Sequence, residues 1–200
     1  MEFQTVVRRR RMVRRFVDRP VEAEVLDRIL DNATRAPSAG FSQGWAFVVL
    51  EADDRRLFWE NVRPDTPFDP SAGSLHAAGA VILPLAHKQA YLDRYSLPDK
   101  EGFGLGDEDR WPVPYWLVDV AFASQSILLT AVDAGLGALF FGIFTGEDAL
   151  LASLGVPDGY RPIGAIALGH PLPGERSRPS LRSGRRPSDQ VIHRGRWRQL

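Results

Sequence analysis

The sequence predicts an α+β protein of a single domain, and three observations carry that prediction. Strand-like apolar runs and helix-period segments are mixed along the chain without the strict alternation of a βαβ repeat. The 200 residues are 44% hydrophobic and contain no low-complexity tract, enough for one core. The segment from Pro171 to Leu200 has no core pattern of its own, so a basic tail must be disordered or lie across another surface.

Residues 2–11 read as a first helix with Phe3, Val6 and Val7 on one face. After Pro20, Val21, Val25, Ile29 and Ala33 recur four apart with Leu26 and Leu30 beside them, which is the stripe of an amphipathic helix; Pro37 stops it. WAFVVLE (Trp45 to Glu51) reads as a strand, and DDRRLFWENV as a short helix opened by an aspartate. Turn residues fill Arg63 to Ser74. Ala77 to Ala86 reads as a buried strand and KQAYLDRY as the start of a helix. Residues 96–114 have no periodicity and contain three prolines; a loop of that length inside a compact domain is functional or mobile. YWLVDVAFASQSILLTAVDAGLG is apolar almost all round, which predicts a helix buried on every side, in the centre of the fold or at a subunit interface, with Gly135 at its end. A strand (Ala138 to Phe144), a short helix (Glu147 to Leu154) and a strand within YRPIGAIALGH complete the fold.

Composition excludes several kinds of chemistry. Without cysteine there is no disulfide framework, thiolate nucleophile or cysteine-ligated metal, so redox chemistry would have to come from a bound cofactor. No apolar run approaches the roughly 20 residues of a bilayer crossing, and the longest, AGLGALFFGIF, is broken by three glycines. The N-terminus has arginines but no apolar segment or cleavage site of an export signal, so a cytoplasmic location is expected. Net charge is zero but segregated: seven Arg against Glu2 and Asp18 leave residues 1–20 at +5, eight Arg against Asp189 leave residues 176–200 at +7, and the interval between carries −12.

The densest charge is RRRRMVRRF, residues 8–16, for which nucleic acid, an acidic membrane surface, a bound phosphate or plain solvation are the candidate readings. GLGALFFG has the first two glycines of a dinucleotide turn but Phe140 at the third, and GFGLG enters no helix. No phosphate loop, HExxH or GxSxG element is present, and the four histidines are scattered singly. Aromatics do not interleave with the arginines as on a single-strand stacking platform, which leaves an arginine helix on duplex phosphates as the main non-enzymatic reading.

RRMVRRF, the later APSAGFSQGWAFVVL, the segment DVAFASQSILLTAVDAGLGALFFG and the late RRPSDQVIHRGRW resemble, in order and spacing, the FMN-dependent nitroreductase family. The resemblance covers most of the chain and is weakest over residues 60–115. It implies a nitroreductase-like fold with a central mixed sheet flanked by helices and a C-terminal extension wrapping the partner of a homodimer. FMN would lie at the subunit interface, built from both chains. Arg10 matches the position that binds the phosphate or ribityl chain, and Arg185 and Arg186 match the C-terminal basic group reaching the same phosphate. Arg14 falls beside the pyrimidine edge of the flavin, where a cation tunes the redox potential. Arg11 and Met12 adjoin the cofactor; Met12 stands where Ser is usual, leaving only its backbone to serve. Pro37, Ser38 and Ala39 match the turn that packs on the ring from the partner, and Phe141 and Gly142 match the loop whose backbone N–H faces N5. Phe41 replaces a small polar residue, Gly44 replaces the common Pro before Trp45, and Gln43 and Trp45 buttress the turn.

The activity implied is reduction of an electron-poor small molecule (nitroaromatic, quinone or enone) by NADH or NADPH in two steps through flavin N5, with no protein nucleophile, metal, nucleic acid or membrane involved. Phe41, Tyr115 and Trp116 are the candidate substrate contacts. An FMN-holding protein without turnover and an arginine-mediated nucleic-acid binder are the alternatives from other classes.

Overall fold

The structure, a computed structural model, describes residues 1–63, 65–174 and 184–198. Among the described residues five strands form one sheet: β1 (Trp45–Glu51), β2 (Ala80–His87), β3 (Gly137–Phe141), β4 (Tyr160–Pro162) and β5 (Ala165–Gly169). Their order is β1-β2-β5-β3, with β4 also on β2. Every ladder among the described residues is antiparallel, where a mixed sheet was expected; the parallel pairing Met12 to Ala138 is an isolated bridge outside the named strands. The single strand expected in YRPIGAIALGH is divided at Gly164, whose φ of +144° no L side chain readily adopts and where a Cβ would sit 2.6 Å from the Phe141 carbonyl oxygen. β5 therefore pairs with the first half of β2, and β4 with the second.

The period-two alternation of the strands sends two sets of side chains to two helical layers. Ile82, Ala138, Ile166 and Leu168 meet α2 (Ala23–Thr34) and α5 (Tyr115–Asp133), through Leu26, Ile29 and Ala33 of the former and Ala123, Ile127 and Ala131 of the latter. Val81, Leu83, Leu85 and Ala165 meet Phe58 and Trp59 of α3 (Arg55–Val62) and Leu150 of α6 (Glu147–Ser153). Each large apolar side chain so buried contributes roughly 1.5–3 kcal/mol. Two short helices, α1 (Phe3–Arg9) and α4 (Gln89–Tyr95), are the remaining α-helices among the described residues.

α5 ends as its sequence predicts: Gly135 takes φ +77°, and the Leu136 N–H closes on the Ala131 carbonyl at 2.8 Å. The expectation of burial on every side fails in the single chain. Leu117 and Phe122 are 37% and 49% exposed, because only one face of the helix meets α2 and the sheet. At 19 residues α5 is also long and apolar enough, by length and composition, to cross a membrane. A search for unbroken apolar runs misses it, since Asp119, Ser124 and Gln125 interrupt the run. In the fold it packs on α2 and the sheet with Asp119 and Ser124 buried.

β3 stops at Phe141 rather than Phe144, and β2 begins at Ala80 rather than Ala77. Residues 96–114 are ordered into two 3-10 turns, Glu101–Phe103 and Glu108–Arg110.

Candidate functional site

The arginine run leaves its helix at Arg10. Arg10 caps α1 with ψ 119°, and the following residues run extended beside β3. The Val13 N–H donates to the Ala138 carbonyl at 2.9 Å, Phe16 bridges Pro171, and the Val17 N–H donates to the His170 carbonyl at 2.9 Å. Val13 and Phe16 are buried, at 3% and 0% exposure, against Ala77, Ala78, Leu139 and Ala167. They are the anchors that hold the charged residues between them in place.

Arg10 Nη1 is buried and has no hydrogen-bond partner among the described residues. Leaving a charged donor so placed costs more than the roughly 1–3 kcal/mol of a neutral one, and an anion would satisfy it. Arg14 is half-buried and donates from Nη1 to the Met12 carbonyl at 3.2 Å, while Arg11 is exposed. Met12 packs its thioether body against both the α2/α5 core and the Val13/Phe16 core. A serine there would leave that space unfilled, which is the structural reason for the departure from the pattern.

Phe141 and Gly142 lie at the far end of β3, about 10–13 Å along the strand from Ala138 at roughly 3.3 Å per residue. Phe141 stacks parallel to Trp59 with centroids 5.8 Å apart. A Cβ on Gly142 would stand 2.9 Å from the Phe144 ring, itself 93% exposed. Phe58, Trp59, Arg63, Phe141, Gly142 and Phe144 line a cavity of about 430 Å³. A wider cleft of about 940 Å³ opens between α5, α6 and β4, with Trp116, Leu117, Ala121, Phe140, Tyr160 and Arg161 in its walls. Neither lining, among the described residues, includes the arginine strip or the turn at Pro37.

That turn is strained and clamped. Gly40, Phe41 and Gln43 have φ of +61°, +58° and +49°, a backbone region costly for residues with a Cβ. Ser38 Oγ accepts the Gln43 N–H at 3.0 Å, so Gln43 buttresses the turn through its backbone. The Ala39 N–H donates to Asp119 Oδ2 at 2.8 Å, and the Tyr91 hydroxyl donates to the same oxygen at 2.9 Å. Arg94, paired with Asp99, donates from Nε to the Gly40 carbonyl at 2.9 Å. Pro37 is exposed, Ser38 and Ala39 are half-buried, and Phe41 projects with 75% of its surface free. Gly44 is buried where a Cβ would overlap the Tyr91 ring, so a proline would not fit. Trp45 packs into the α2/α5 core, as a buttress should.

Tyr115 and Trp116 belong to an aromatic cluster with Tyr91, Tyr95 and Trp111, whose Nε1 donates to the Leu105 carbonyl at 2.7 Å. The loop 96–114 is thereby packed onto α4 and the start of α5. Ser71 donates from N and Oγ to the Asp69 carboxylate. Arg185 and Arg186 are exposed on the tail, within which Arg186 Nη2 donates to the Gln190 carbonyl and the Arg198 N–H to His193 Nδ1. Within one chain the structure thus groups Arg10, Met12 and Arg14 on one strip, Phe141 and Gly142 at the end of the adjoining strand, and Pro37–Phe41 on a separate turn. Sequence reasoning does not find Asp119, Tyr91 or Arg94. The one signal is a carboxylate in the middle of an otherwise apolar run.

An antiparallel sheet covered by helices on both faces, with an unsatisfied arginine on a strip beside its edge strand, defines an α+β protein equipped to hold an anionic ligand. The Nitroreductase family model matches residues 7–170, and the chain belongs to that family. It is 30% identical over 181 residues, 88% of this chain and 82% of the relative, to the "Putative NADH dehydrogenase/NAD(P)H nitroreductase" of Methanothermobacter thermautotrophicus. It is 27% identical to the protein of the same name from Archaeoglobus fulgidus, over 94% of each chain. Among solved structures, a "putative nitroreductase in complex with FMN" from Desulfovibrio desulfuricans superposes with a TM-score of 0.71 at 24% identity, over 99% of each chain. This last likeness shows the fold.

Proposed function

We propose that the protein is an FMN-dependent oxidoreductase that uses NADH or NADPH to reduce an electron-poor organic acceptor of nitroaromatic, quinone or enone type in a ping-pong cycle. The observation that carries this is Arg10 Nη1, a buried cationic donor with no partner among the described residues, on a strip the family match includes. A flavin's terminal phosphate, with most of two negative charges at neutral pH, meets that requirement. FMN held by these residues would supply the redox chemistry, hydride exchange between the nicotinamide and the acceptor.

The chain's own residues bind and orient. Arg10 grips the phosphate, joined by Arg185 and Arg186 of the tail, and Arg11 contributes through its backbone. Arg14 would place a cation at the pyrimidine edge, and Met12 would serve through its backbone. The backbone N–H of Gly142, after Phe141, would face the flavin. Pro37, Ser38 and Ala39 complete the site from the second chain of a homodimer, and Phe41, Tyr115 and Trp116 shape the acceptor space. The exposed apolar face of α5 supports the dimer, since Leu117 and Phe122 need cover.

The test is the visible spectrum of the purified protein, after reconstitution with FMN if needed, followed by anaerobic addition of each nicotinamide. A flavin band that bleaches and returns when a nitroarene is added is the expected result. A bound flavin that never bleaches makes this an FMN-holding protein, and a chain that cannot take up FMN refutes the reading.

A further inference from the structure

Asp119 is 3% exposed, and its Oδ2 receives two hydrogen bonds from elements far away in sequence: the Ala39 N–H and the Tyr91 hydroxyl. Below the turn the Tyr91 ring presses on Gly44, and from the side Arg94 holds the Gly40 carbonyl. Three residues of this turn lie at positive φ, two of them not glycine. Such a conformation persists only where its surroundings over-determine it. Its product is Phe41, an aromatic ring presented to solvent at 75% exposure.

We infer that Asp119 is a positioning residue: it holds the strained Ser38–Gln43 turn so that Phe41 stands as a fixed aromatic wall, and it thereby sets a preference for planar aromatic acceptors. The inference rests on the function proposed above, in which this turn borders the acceptor space. Asp119 itself touches neither cofactor nor acceptor. It acts through the Ala39 amide and, with Tyr91, forms a node in which one carboxylate oxygen satisfies two buried donors. Released from it, the turn relaxes toward ordinary backbone angles and Phe41 swings away. A planar ring then loses one stacking face, while an acceptor that needs no stacking is unaffected.

The experiment compares flavin-loaded wild type with Asp119→Ala, Asp119→Asn and Tyr91→Phe, each assayed with a nitroarene and with ferricyanide, an acceptor that requires no aromatic contact. In Asp119→Ala the nitroarene KM rises about tenfold or more, the cost of a misplaced contact. Per bound flavin, nitroarene kcat and ferricyanide turnover stay near wild type. Asp119→Asn restores the KM, because its amide oxygen can accept both hydrogen bonds. A parallel loss with both acceptors, or an Asn variant as impaired as Ala, overturns the inference. Should Asp119→Ala not fold, Tyr91→Phe removes one of the two bonds, and an unchanged nitroarene KM in that variant overturns it equally. Hydrogen exchange at the Ala39 amide separates this failure from failure of the proposed function. Faster exchange in the Asp119 and Tyr91 variants, in a wild type that does not reduce nitroarenes, leaves the clamp standing and removes the acceptor role from the inference. Unchanged exchange sinks the clamp whatever the activity.

Discussion

Single residues carry the most direct consequences. Arg10 is the one cation among the described residues shown with a buried nitrogen lacking a partner, so its substitution should be read first in cofactor affinity. A charge-assisted hydrogen bond contributes roughly 1.5–3 kcal/mol, so Arg10→Gln should weaken FMN by about ten- to a hundredfold in a fluorescence titration of the apoprotein. Arg11→Gln, at an exposed side chain, should change it little. The role of Arg10 is legible in the run RRRRMVRRF only through its company, since six arginines in nine positions do not distinguish themselves. What distinguishes Arg10 is burial, and burial comes from the turn out of α1 and the anchoring of Val13 and Phe16 on β3 and residues after β5. Asp119 is less legible still. Its partners lie 80 and 28 residues away, and no local pattern announces contacts of that span.

At the scale of elements, periodicity locates α2, β1 and the core of α5, because their stripes and runs are long enough to dominate local alternatives. Ends are set by other forces. β3 does not continue beyond Phe141 because the next residue is Gly142, packed beside the Phe144 ring, and β5 is cut from β4 by the backbone of Gly164. The turn before β1 shows the same logic at Gly44, where the Tyr91 ring fills the space a Cβ would need. Gly44→Ala would drive a methyl into the Tyr91 ring and to 2.8 Å from the His87 carbonyl oxygen. Overpacking of that kind costs about 1–3 kcal/mol, so the melting temperature should fall by roughly 2–10 °C. Gly155→Ala, with open space around it but φ of +63°, isolates the backbone contribution in the same measurement.

The whole molecule responds to pH through His76. Its ring is 8% exposed between Trp59 and Phe68, and Nδ1 accepts the Asp69 N–H at 3.0 Å. Burial pushes its pKa below the ordinary 6.5, Asp69 opposes the shift and Arg63 adds to it. The unfolded chain therefore binds the proton first. Stability is full above about pH 6.5 and declines as pH falls toward the lower folded value, because there the unfolded state holds more protons. Urea midpoints should drop between about pH 7.5 and 5.5, and His76→Asn should flatten that slope. Assembly belongs to this scale too. A charge on the open face of α5, Phe122→Glu, should weaken the proposed dimer by about tenfold or more in sedimentation equilibrium, with FMN retention falling in step if, as proposed, the site takes its turn from the second chain. The opposite charges of the basic ends and acidic middle are plain in the sequence. Which face of α5 stays open is not, since that depends on where α2 packs.

The arginine strip also has a history in time. Its residues come early in the sequence, yet beyond Ser74, Ala77 and Ala78 the groups that seat it, Ala138, His170 and Leu172, lie in the last third. Contacts of such separation close late, after the loop between them has been ordered. At about 5–20 residues per second, a ribosome needs several seconds or more after making Arg10 to reach its anchors. A nascent chain would thus be blind to its cofactor until β5 emerges, and flavin capture would mark the completion of folding rather than its start.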